Sequence, residues 1–475
     1  MAEPERTGMY LQRILVRPSL LPDMLRSQTV ASEAFGRPSD FREGNTMWNF
    51  ETDPEFQQQL DWIDQFVREQ IEPLDHILGS QWNIHDPDFV KLVRPLQKQV
   101  QERGLWACHL GPELGGKGYG QLKLALMNEK FGRSRFGPIV FGCQAPDTGN
   151  AEILAHYGTP EQKKNYLEPL LANDIVSCFT MTEPQGGADP LVLEARAERD
   201  GDSWVINGEK WFASNARFAS FFIVMAVTDP DAAPYRRMSM FIVPANTPGI
   251  EIVRNYGFYG EPDETHAHLR WTNARVPLDS MLGEQGDAFV VAQVRLGGGR
   301  MHHAMRTLAQ ATRAFDMMCE RAVSRFTKGE QLAKKQMVQE KIADSWVELR
   351  QFRLLVLETA WLMDQTKDSR SIRKNIAAVK TVMPKLLHDI SARALQIHGS
   401  LGISHDMPFA EWIINSYHVA LADGPTEVHK VTVAREVLKD VQPAAGMFPD
   451  YLKSEQVRRA REKFGLEDNP RDPEA

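Results

Sequence analysis

The run Val176-Ser-Cys-Phe-Thr-Met181 marks the point at which the sequence changes from helical to strand-like patterns. After it, short apolar segments follow one another at close spacing, which is typical of strands. The further predicted strands are Trp204–Ile206, Lys210–Ala213, Phe221–Thr228, Met238–Val243, Ile250–Val253 and His268–Trp271. The pair Asn207-Gly208, between the first two of these, predicts a hairpin turn. Residues 175–280 are therefore predicted to form a β domain.

Helical patterns flank this β domain on both sides. Upstream, Asp53-Pro54 and Thr159-Pro-Glu-Gln162 each combine a capping residue with a first-turn proline, and apolar residues recur after Asp53-Pro54 at intervals of three and four. Downstream, long periodic segments cover Met301–Arg325, Gln336–Gln365 and Arg373–His398. Their length and short connections predict an antiparallel helical bundle.

These patterns define an α+β protein with several domains. An N-terminal extension covers residues 1–50, and an all-α domain covers residues 51–174. The β domain follows, and a four-helix bundle covers residues 281–441. Residues 442–475 are rich in charge and are predicted to be a solvated tail.

Composition excludes several classes of function. The chain has 475 residues, of which 42% are hydrophobic and 25% charged, as is ordinary for a globular protein with a large core. A net charge of −8 disfavours a general nucleic-acid surface, and no apolar run approaches the roughly 18–20 residues of a membrane span. The four cysteines form no CxxC or CxxH pair, so neither a disulfide framework nor a zinc site is predicted. A reducing, intracellular compartment is expected.

The first fifty residues carry opposing signals. Arginines interleaved with leucines resemble an organelle transit peptide, whereas Glu3 and Glu5 are atypical of one. A docking arm or a disordered leader is an equal alternative. The predicted location is cytoplasmic, or mitochondrial or peroxisomal in a eukaryote.

A lone carboxylate, Asp423, lies in the segment Ala420-Leu-Ala-Asp-Gly-Pro-Thr-Glu427, between an apolar run and a Gly-Pro turn. Apolar surroundings disfavour the charged form, so the pKa of Asp423 is expected to rise toward the range useful for a general base. Asp-Gly-Pro is also ordinary turn chemistry, in which the aspartate binds its own backbone. The residues alone leave both interpretations open.

Four short motifs follow one another along the chain: Phe179-Thr-Met-Thr-Glu-Pro-Gln-Gly-Gly-Ala-Asp189, Ile206-Asn-Gly-Glu-Lys-Trp-Phe-Ala-Ser-Asn215, Gln396-Ile-His-Gly-Ser-Leu-Gly402 and Asp423-Gly-Pro-Thr-Glu427. Together, and in this order, they resemble those of the acyl-CoA dehydrogenase family. The resemblance covers about residues 53–438 and implies a helical domain, a middle antiparallel β-barrel domain and a C-terminal four-helix bundle. It is closest to a subgroup that carries aspartate where most members have a catalytic glutamate.

The chemistry that this resemblance implies is α,β-dehydrogenation of an acyl-CoA thioester by FAD. A base, matched here by Asp423, removes the α-proton while the β-hydrogen leaves as hydride to flavin N5. The thioester carbonyl must be polarised and water excluded, and the flavin supplies the hydride chemistry. An electron-transfer flavoprotein is the implied acceptor, and a homodimer or homotetramer is the implied assembly.

The resemblance also assigns residues to ligands. Nine residues match family positions that contact FAD: Thr182, Phe212, Ser214, Arg325, Gln336, Gln396, Gly399, Thr426 and Glu427. Thr182, Phe212 and Ser214 match positions against the flavin ring, whereas Arg325 and Gln336 match a segment that reaches FAD across a subunit interface. Three residues match positions near the CoA part of the substrate: Ala188, Arg300 and Arg435.

Two departures from the family pattern bear on substrate choice. Ala188 replaces a serine that is common in the family, and Asp423 is one methylene shorter than glutamate, about 1.5 Å in reach. We expect the shorter base to accommodate a bulkier or branched acyl chain near the α-carbon. A flavin oxidase of the same fold, using O₂ on an acyl-CoA or a nitroalkane, and a flavoprotein kept for binding remain alternatives.

Overall fold

The computed structural model describes residues 52–114, 116–259, 265–366, 371–444 and 446–467. The transit-peptide question and the end of the predicted tail lie outside these residues. Within them, no helix combines the length and apolarity that a membrane crossing requires.

Short and medium helices make up the N-terminal part. They are α1 (Pro54–Phe66), α2 (Pro87–Glu102), α3 (Gly120–Phe131), α4 (Gly137–Val140), α5 (Asp147–Tyr157), α6 (Pro160–Gln162) and α7 (Glu168–Leu171). The chain continues from α1 through a π-helical turn, Val67–Ile71, and a 3₁₀ turn, Glu72–His76. The helix start at Thr159 is confirmed, because its hydroxyl accepts a hydrogen bond from the Gln162 amide while the Gln162 side chain accepts one from the Thr159 amide.

The predicted β domain is confirmed as one seven-stranded sheet. Its strands are β1 (Ser177–Thr180), β2 (Arg196–Asp200), β3 (Ser203–Ser214), β4 (Phe221–Val227), β5 (Met238–Pro244), β6 (Ile250–Tyr256) and β7 (His266–Pro277). They follow the order β1-β4-β2-β3-β7-β6, and β5 pairs with the other side of β4. The sheet is mainly antiparallel, but β4 runs parallel to β1 and, at the pair Arg196 and Val227, also parallel to β2. The β2–β3 hairpin lies between β1 and β4 in sequence, as a crossover connection between parallel strands requires.

The predicted hairpin turn at Asn207-Gly208 is wrong. Strand β3 runs through both residues, and the chain reverses instead at Gly201-Asp202, between β2 and β3. At Gly208 the pairing with β7 is irregular and φ is +136°, a conformation that favours glycine. A Cβ atom there would stand 2.7 Å from Cα of Ala195. The glycine therefore permits close approach of the neighbouring strand rather than a turn.

Long helices dominate the C-terminal part. They are α8 (Ala288–Ser324), α9 (Gln336–Gln365), α10 (Arg373–His398), α11 (Phe409–Leu421), α12 (Thr426–Leu438) and α13 (Lys453–Phe464). A small hairpin, β8 (Phe326–Thr327) and β9 (Glu330–Gln331), joins α8 to α9. Helices α9 and α10 have the predicted bounds. Helix α8 covers nearly all of the periodic segment Met301–Arg325 and the thirteen residues before it, and α13 lies inside the predicted tail. The C-terminal helical domain is confirmed, and its described part contains α8 to α12.

Helix α8 links two hydrophobic cores. Near its start, Ala288 and Val291 pack in a core that β4, β5 and α5 share. Further along, Met301 and Met305 pack in a larger core that the N-terminal helices and the bundle share. The run Gly297-Gly298-Gly299 lies between these two contacts, so α8 brings a stretch without side chains to the junction of the domains.

Candidate active site

Asp423 occupies the turn between α11 and α12 in a left-handed conformation, with φ at +56°. Few residues other than glycine adopt this conformation, and aspartate is among the more tolerant. The Asp423 carbonyl oxygen accepts hydrogen bonds from Arg300 Nε at 2.9 Å and His429 Nε2 at 3.3 Å. Its side chain is only 14% exposed. The unusual backbone is therefore held by contacts from both α8 and α12.

The Asp423 carboxylate faces one side of α8. Arg295 Nη1 lies 3.8 Å from Oδ1, and His303 Nε2 lies 3.6 Å from Oδ2. Gly299 lies between these two residues, and a Cβ atom there would stand 3.0 Å from Oδ2. Positions 295, 299 and 303 are four apart and share one face of a helix. The missing side chain at Gly299 thus leaves room for the carboxylate.

Positive charge surrounds this carboxylate. Burial alone would raise the pKa of Asp423, but His303, Arg295, Arg300 and Lys380 together act more strongly, and the pKa is lowered. The expectation of a raised pKa is therefore wrong, because its partners come from distant parts of the sequence. Burial lowers the pKa of His303 to about 4, so the facing charges at neutral pH are the two arginines and Lys380.

Arg295 connects Asp423 to a second acidic group on α5. Its Nε donates to Asn150 Oδ1 at 3.0 Å, and its guanidinium lies 4.2 Å from the centre of the Phe179 ring. Burial raises the pKa of Glu152 to about 7 and that of Asp147 to about 6, although Arg295 opposes both shifts. Arg295 therefore acts on two carboxyl groups that hold protons more tightly than usual as well as on the ionised Asp423.

Three predicted flavin-contacting residues come together where β1 ends beside β3. The Thr182 carbonyl accepts a hydrogen bond from the Trp211 amide at 2.8 Å. Next to it, Phe212 is 41% exposed and has φ at +49°, a strained conformation that concentrates at functional sites. The Ser214 hydroxyl lies 3.0 Å from Nδ1 of His266. These residues present an aromatic face and polar groups in one place.

Unpaired polar atoms at the same place fit a polar planar ligand. Trp211 Nε1 and both side-chain polar atoms of Asn215 are buried without a hydrogen-bond partner among the described residues. Leaving such groups unpaired costs about 1–3 kcal/mol each. A flavin ring would offer donors and acceptors to these atoms and a flat face to Phe212. The residues present therefore fit FAD.

Aromatic contacts join this region to the helix that carries Asp423. The Phe258 ring stacks on His266 with centroids 4.2 Å apart, and it meets His418 on α11 at 4.9 Å. Since α11 ends two residues before Asp423, the flavin-facing region adjoins the helix that leads into the Asp423 turn.

The other predicted ligand contacts are more scattered. Thr426 is half-buried at the start of α12, and its hydroxyl lies 3.4 Å from the Ala420 carbonyl. Seven predicted residues lie exposed on the surface of the single chain: Ala188, Arg325, Gln336, Gln396, Gly399, Glu427 and Arg435. Of the predicted substrate contacts, the structure brings only Arg300 against Asp423.

Sequence reasoning missed the groups that surround Asp423 and Ser214, namely Arg295, His303, Lys380, Glu152 and His266. One signal was present for some of them. Three consecutive glycines weaken a helix and are costly unless something approaches closely, and Gly298 and Gly299 do meet Glu152 and Asp423. Nothing comparable in the sequence indicates Lys380 or His266.

The order of helical domain, β-sheet domain and helical bundle, with a carboxylate at their junction, defines an acyl-CoA dehydrogenase fold. Three family models match in succession: the acyl-CoA dehydrogenase N-terminal domain over residues 53–174, the middle domain over 178–274 and the C-terminal domain over 286–438. The chain therefore belongs to the acyl-CoA dehydrogenase family.

Individual relatives agree with this assignment. The chain is 38% identical over 390 residues to chicken acyl-CoA dehydrogenase family member 11, a match over 80% of this chain and 50% of that protein. It is 40% identical over 354 residues to Probable acyl-CoA dehydrogenase FadE2 of Mycobacterium tuberculosis, covering 73% of this chain and 86% of that one. A solved Mycobacterium abscessus structure, described as belonging to the acyl-CoA dehydrogenases, is 36% identical with a TM-score of 0.75, over 82% and 99% of the two chains. The chain spans about half the length of the family member 11 proteins that it matches.

Proposed function

We propose that this chain is an FAD-dependent acyl-CoA dehydrogenase in which Asp423 removes the α-proton of an acyl-CoA thioester. The observation that carries the proposal is the Asp423 carboxylate, held on a left-handed turn against Gly299 of α8. Because the proposed base is an aspartate, we assign the chain to the subgroup with an aspartate base. Its role belongs to fatty-acid or branched-acyl catabolism.

The charges around Asp423 suit proton removal at neutral pH. Because the pKa of Asp423 is lowered, its carboxylate is ionised and can accept a proton. The same shift makes it a weaker base, so hydrogen bonds to the thioester carbonyl must lower the pKa of the α-carbon. As the α C–H bond breaks, its electron pair forms the α,β double bond and the β-hydrogen leaves with its own pair. FAD, when bound, accepts that hydride.

In this proposal Thr182, Phe212 and Ser214 hold the flavin ring. Thr426 and Glu427, which come just after the base in the sequence, also contact FAD. The remaining FAD contacts are supplied between two copies of the chain. Four residues assigned to them are exposed in the single chain, as an interface requires: Arg325, Gln336, Gln396 and Gly399. The active assembly is thus a homodimer or homotetramer. An electron-transfer flavoprotein reoxidises the enzyme.

The substrate lies with its CoA part toward Ala188, Arg300 and Arg435 and its α-carbon at Asp423. A short base beside Gly299 leaves space near the α-carbon, so we propose a substrate with an α-branched or otherwise bulky acyl chain. Straight-chain acyl-CoAs with a higher kcat/KM than every branched one would contradict this assignment.

The test is anaerobic flavin absorbance, followed as straight, branched and hydroxylated acyl-CoAs are added to the purified protein. The proposal requires that one class bleaches the flavin and that an Asp423→Asn variant binds FAD but is not bleached. Rapid peroxide release in air would favour the flavin oxidase instead. A yellow protein that no acyl-CoA bleaches would support a flavoprotein kept for binding, and failure to bind FAD would refute the cofactor assignment.

A further inference from the structure

Lys380, on α10, is a buried cation beside the proposed base. Its side chain has no exposed surface, and its Nζ donates a hydrogen bond to the Val419 carbonyl. Val419 lies in the last turn of α11, where carbonyl groups lack a donor from their own helix. Asp423 follows four residues later. The ammonium group therefore fixes the end of the helix that leads directly into the Asp423 turn.

The charged and titratable groups around Asp423 come from three elements. Arg295, Arg300 and His303 face Asp423 from α8, Lys380 faces it from α10, and His429 approaches its backbone from α12. Burial lowers the pKa of Lys380 to about 8, while the Asp423 charge opposes that shift. Lys380 is therefore still charged at neutral pH.

The two histidines contribute no charge at neutral pH. Burial lowers the pKa of His303 and of His429 to about 4. The lysine charge consequently adds to the two guanidinium groups, and Asp423 is the carboxylate whose charge favours the protonated form of Lys380.

A buried ammonium group needs a compensating interaction. Its desolvation is unfavourable, and a methionine would fill similar space without that penalty. One backbone carbonyl satisfies only one of its three protons. The nearby carboxylate supplies an opposite charge, which is the interaction that most offsets burial of a cation.

We propose that Lys380 is a positioning residue of the active site, which anchors the C-terminal end of α11 and adds a buried positive charge near the Asp423 carboxylate. This inference deepens the proposed function and rests on it. The substrate does not touch Lys380, because the side chain is wholly enclosed.

The test compares K380M and K380Q with K380R and with K385M. Lys385 lies on the same helix with its side chain 78% exposed, so K385M is a matched control for loss of a lysine from α10. Steady-state turnover with an artificial electron acceptor, measured as a function of pH, gives kcat and KM for each variant. In K380M and K380Q the acid limb of kcat/KM moves to higher pH. At a pH on this limb, kcat/KM divided by the plateau value of the same protein is about tenfold lower in these variants than in wild type. KM changes little, K380R keeps the wild-type limb, and K385M resembles wild type.

A second measurement keeps the inference testable without turnover. In chemical unfolding at pH 7, K380M and D423N each remove one member of a buried pair of opposite charges, so the double variant loses less stability than the sum of the two single variants. An unshifted acid limb in both neutral variants, or strictly additive unfolding energies, would overturn the inference. If no acyl-CoA reduces the wild-type flavin, the proposed function fails, and the unfolding cycle still decides whether Lys380 and Asp423 are coupled.

Discussion

A methyl group at position 299 should have opposite effects on the stability of α8 and on the proposed reaction. Glycine in a helix interior is less stable than alanine by about 0.5–1 kcal/mol, so G297A and G299A should both favour the helix itself. A methyl group at position 297 meets nothing within 4 Å in the described chain. At position 299 it stands 3.0 Å from Oδ2 of Asp423, closer than an ordinary van der Waals contact.

The carboxylate must therefore move by a few tenths of an ångström or more in G299A. Because a misplacement of about 1 Å costs on the order of 100-fold in rate, we expect G299A to reduce its flavin about tenfold or more slowly than wild type. Stability should stay near the wild-type value, because the gain in helix propensity offsets the crowding. G297A should gain about 0.5–1 kcal/mol in unfolding free energy.

The assay combines stopped-flow flavin reduction under anaerobic conditions with chemical unfolding of the same preparations. Wild-type flavin reduction in G299A would show that the Asp423 carboxylate is not placed as the structure has it. An equal rate loss in G297A and G299A would likewise refute the reasoning, since only one of the two methyl groups contacts the proposed base.

Further predictions concern the core and the second acidic group. The buried Glu183 carboxylate lies 2.8 Å from Lys210 Nζ, and K210M leaves it without this cation. The free energy of unfolding, measured by chemical denaturation, should therefore fall by about 3–5 kcal/mol. A loss below about 1 kcal/mol would contradict this prediction. Since the pKa of Glu152 is raised to about 7, its contribution to stability is fully present below about pH 4.5 and is lost as pH rises through 7, by up to about 3 kcal/mol. The stability of wild type minus that of E152Q should therefore fall over this range, and a flat difference would refute the burial argument. F212A should weaken FAD binding about tenfold at unchanged melting temperature, because it removes an exposed aromatic face. Flavin fluorescence on dilution measures this affinity. An unaltered affinity would mean that the flavin ring binds elsewhere.

Much of the fold could be predicted from local patterns. Helices α9 and α10 have the predicted bounds because long periodic segments with distinct ends leave little choice. The turn at Asn207-Gly208 could not be distinguished from a bulge, since the requirement for glycine comes from Ala195, the residue just before strand β2. Packing of the sheet therefore holds this dipeptide inside strand β3, although the same dipeptide favours turns in isolation.

Only those residues of the candidate site that lie within a matched motif could be predicted from the sequence. Asp423, matched to the base, and Arg300, matched to a position near CoA, are in contact through the Asp423 carbonyl. The sign of the pKa shift at Asp423 could not be predicted, because Arg295 and Lys380 lie 128 and 43 positions earlier in the sequence. Their proximity depends on how α8 and α10 pack against α11, which single-sequence periodicity does not encode.

The left-handed turn at Asp423 has a consequence for how a substrate must enter. Its carbonyl is bound from two sides, its backbone occupies a narrow conformational well, and its side chain has a single methylene. The carboxylate of such a base can move very little within the site. In the proposed reaction the acyl chain must therefore bring its α-hydrogen to a stationary acceptor, so a poorly fitting chain would bind yet stay out of range. Discrimination between substrates would then be seen in kcat more than in affinity.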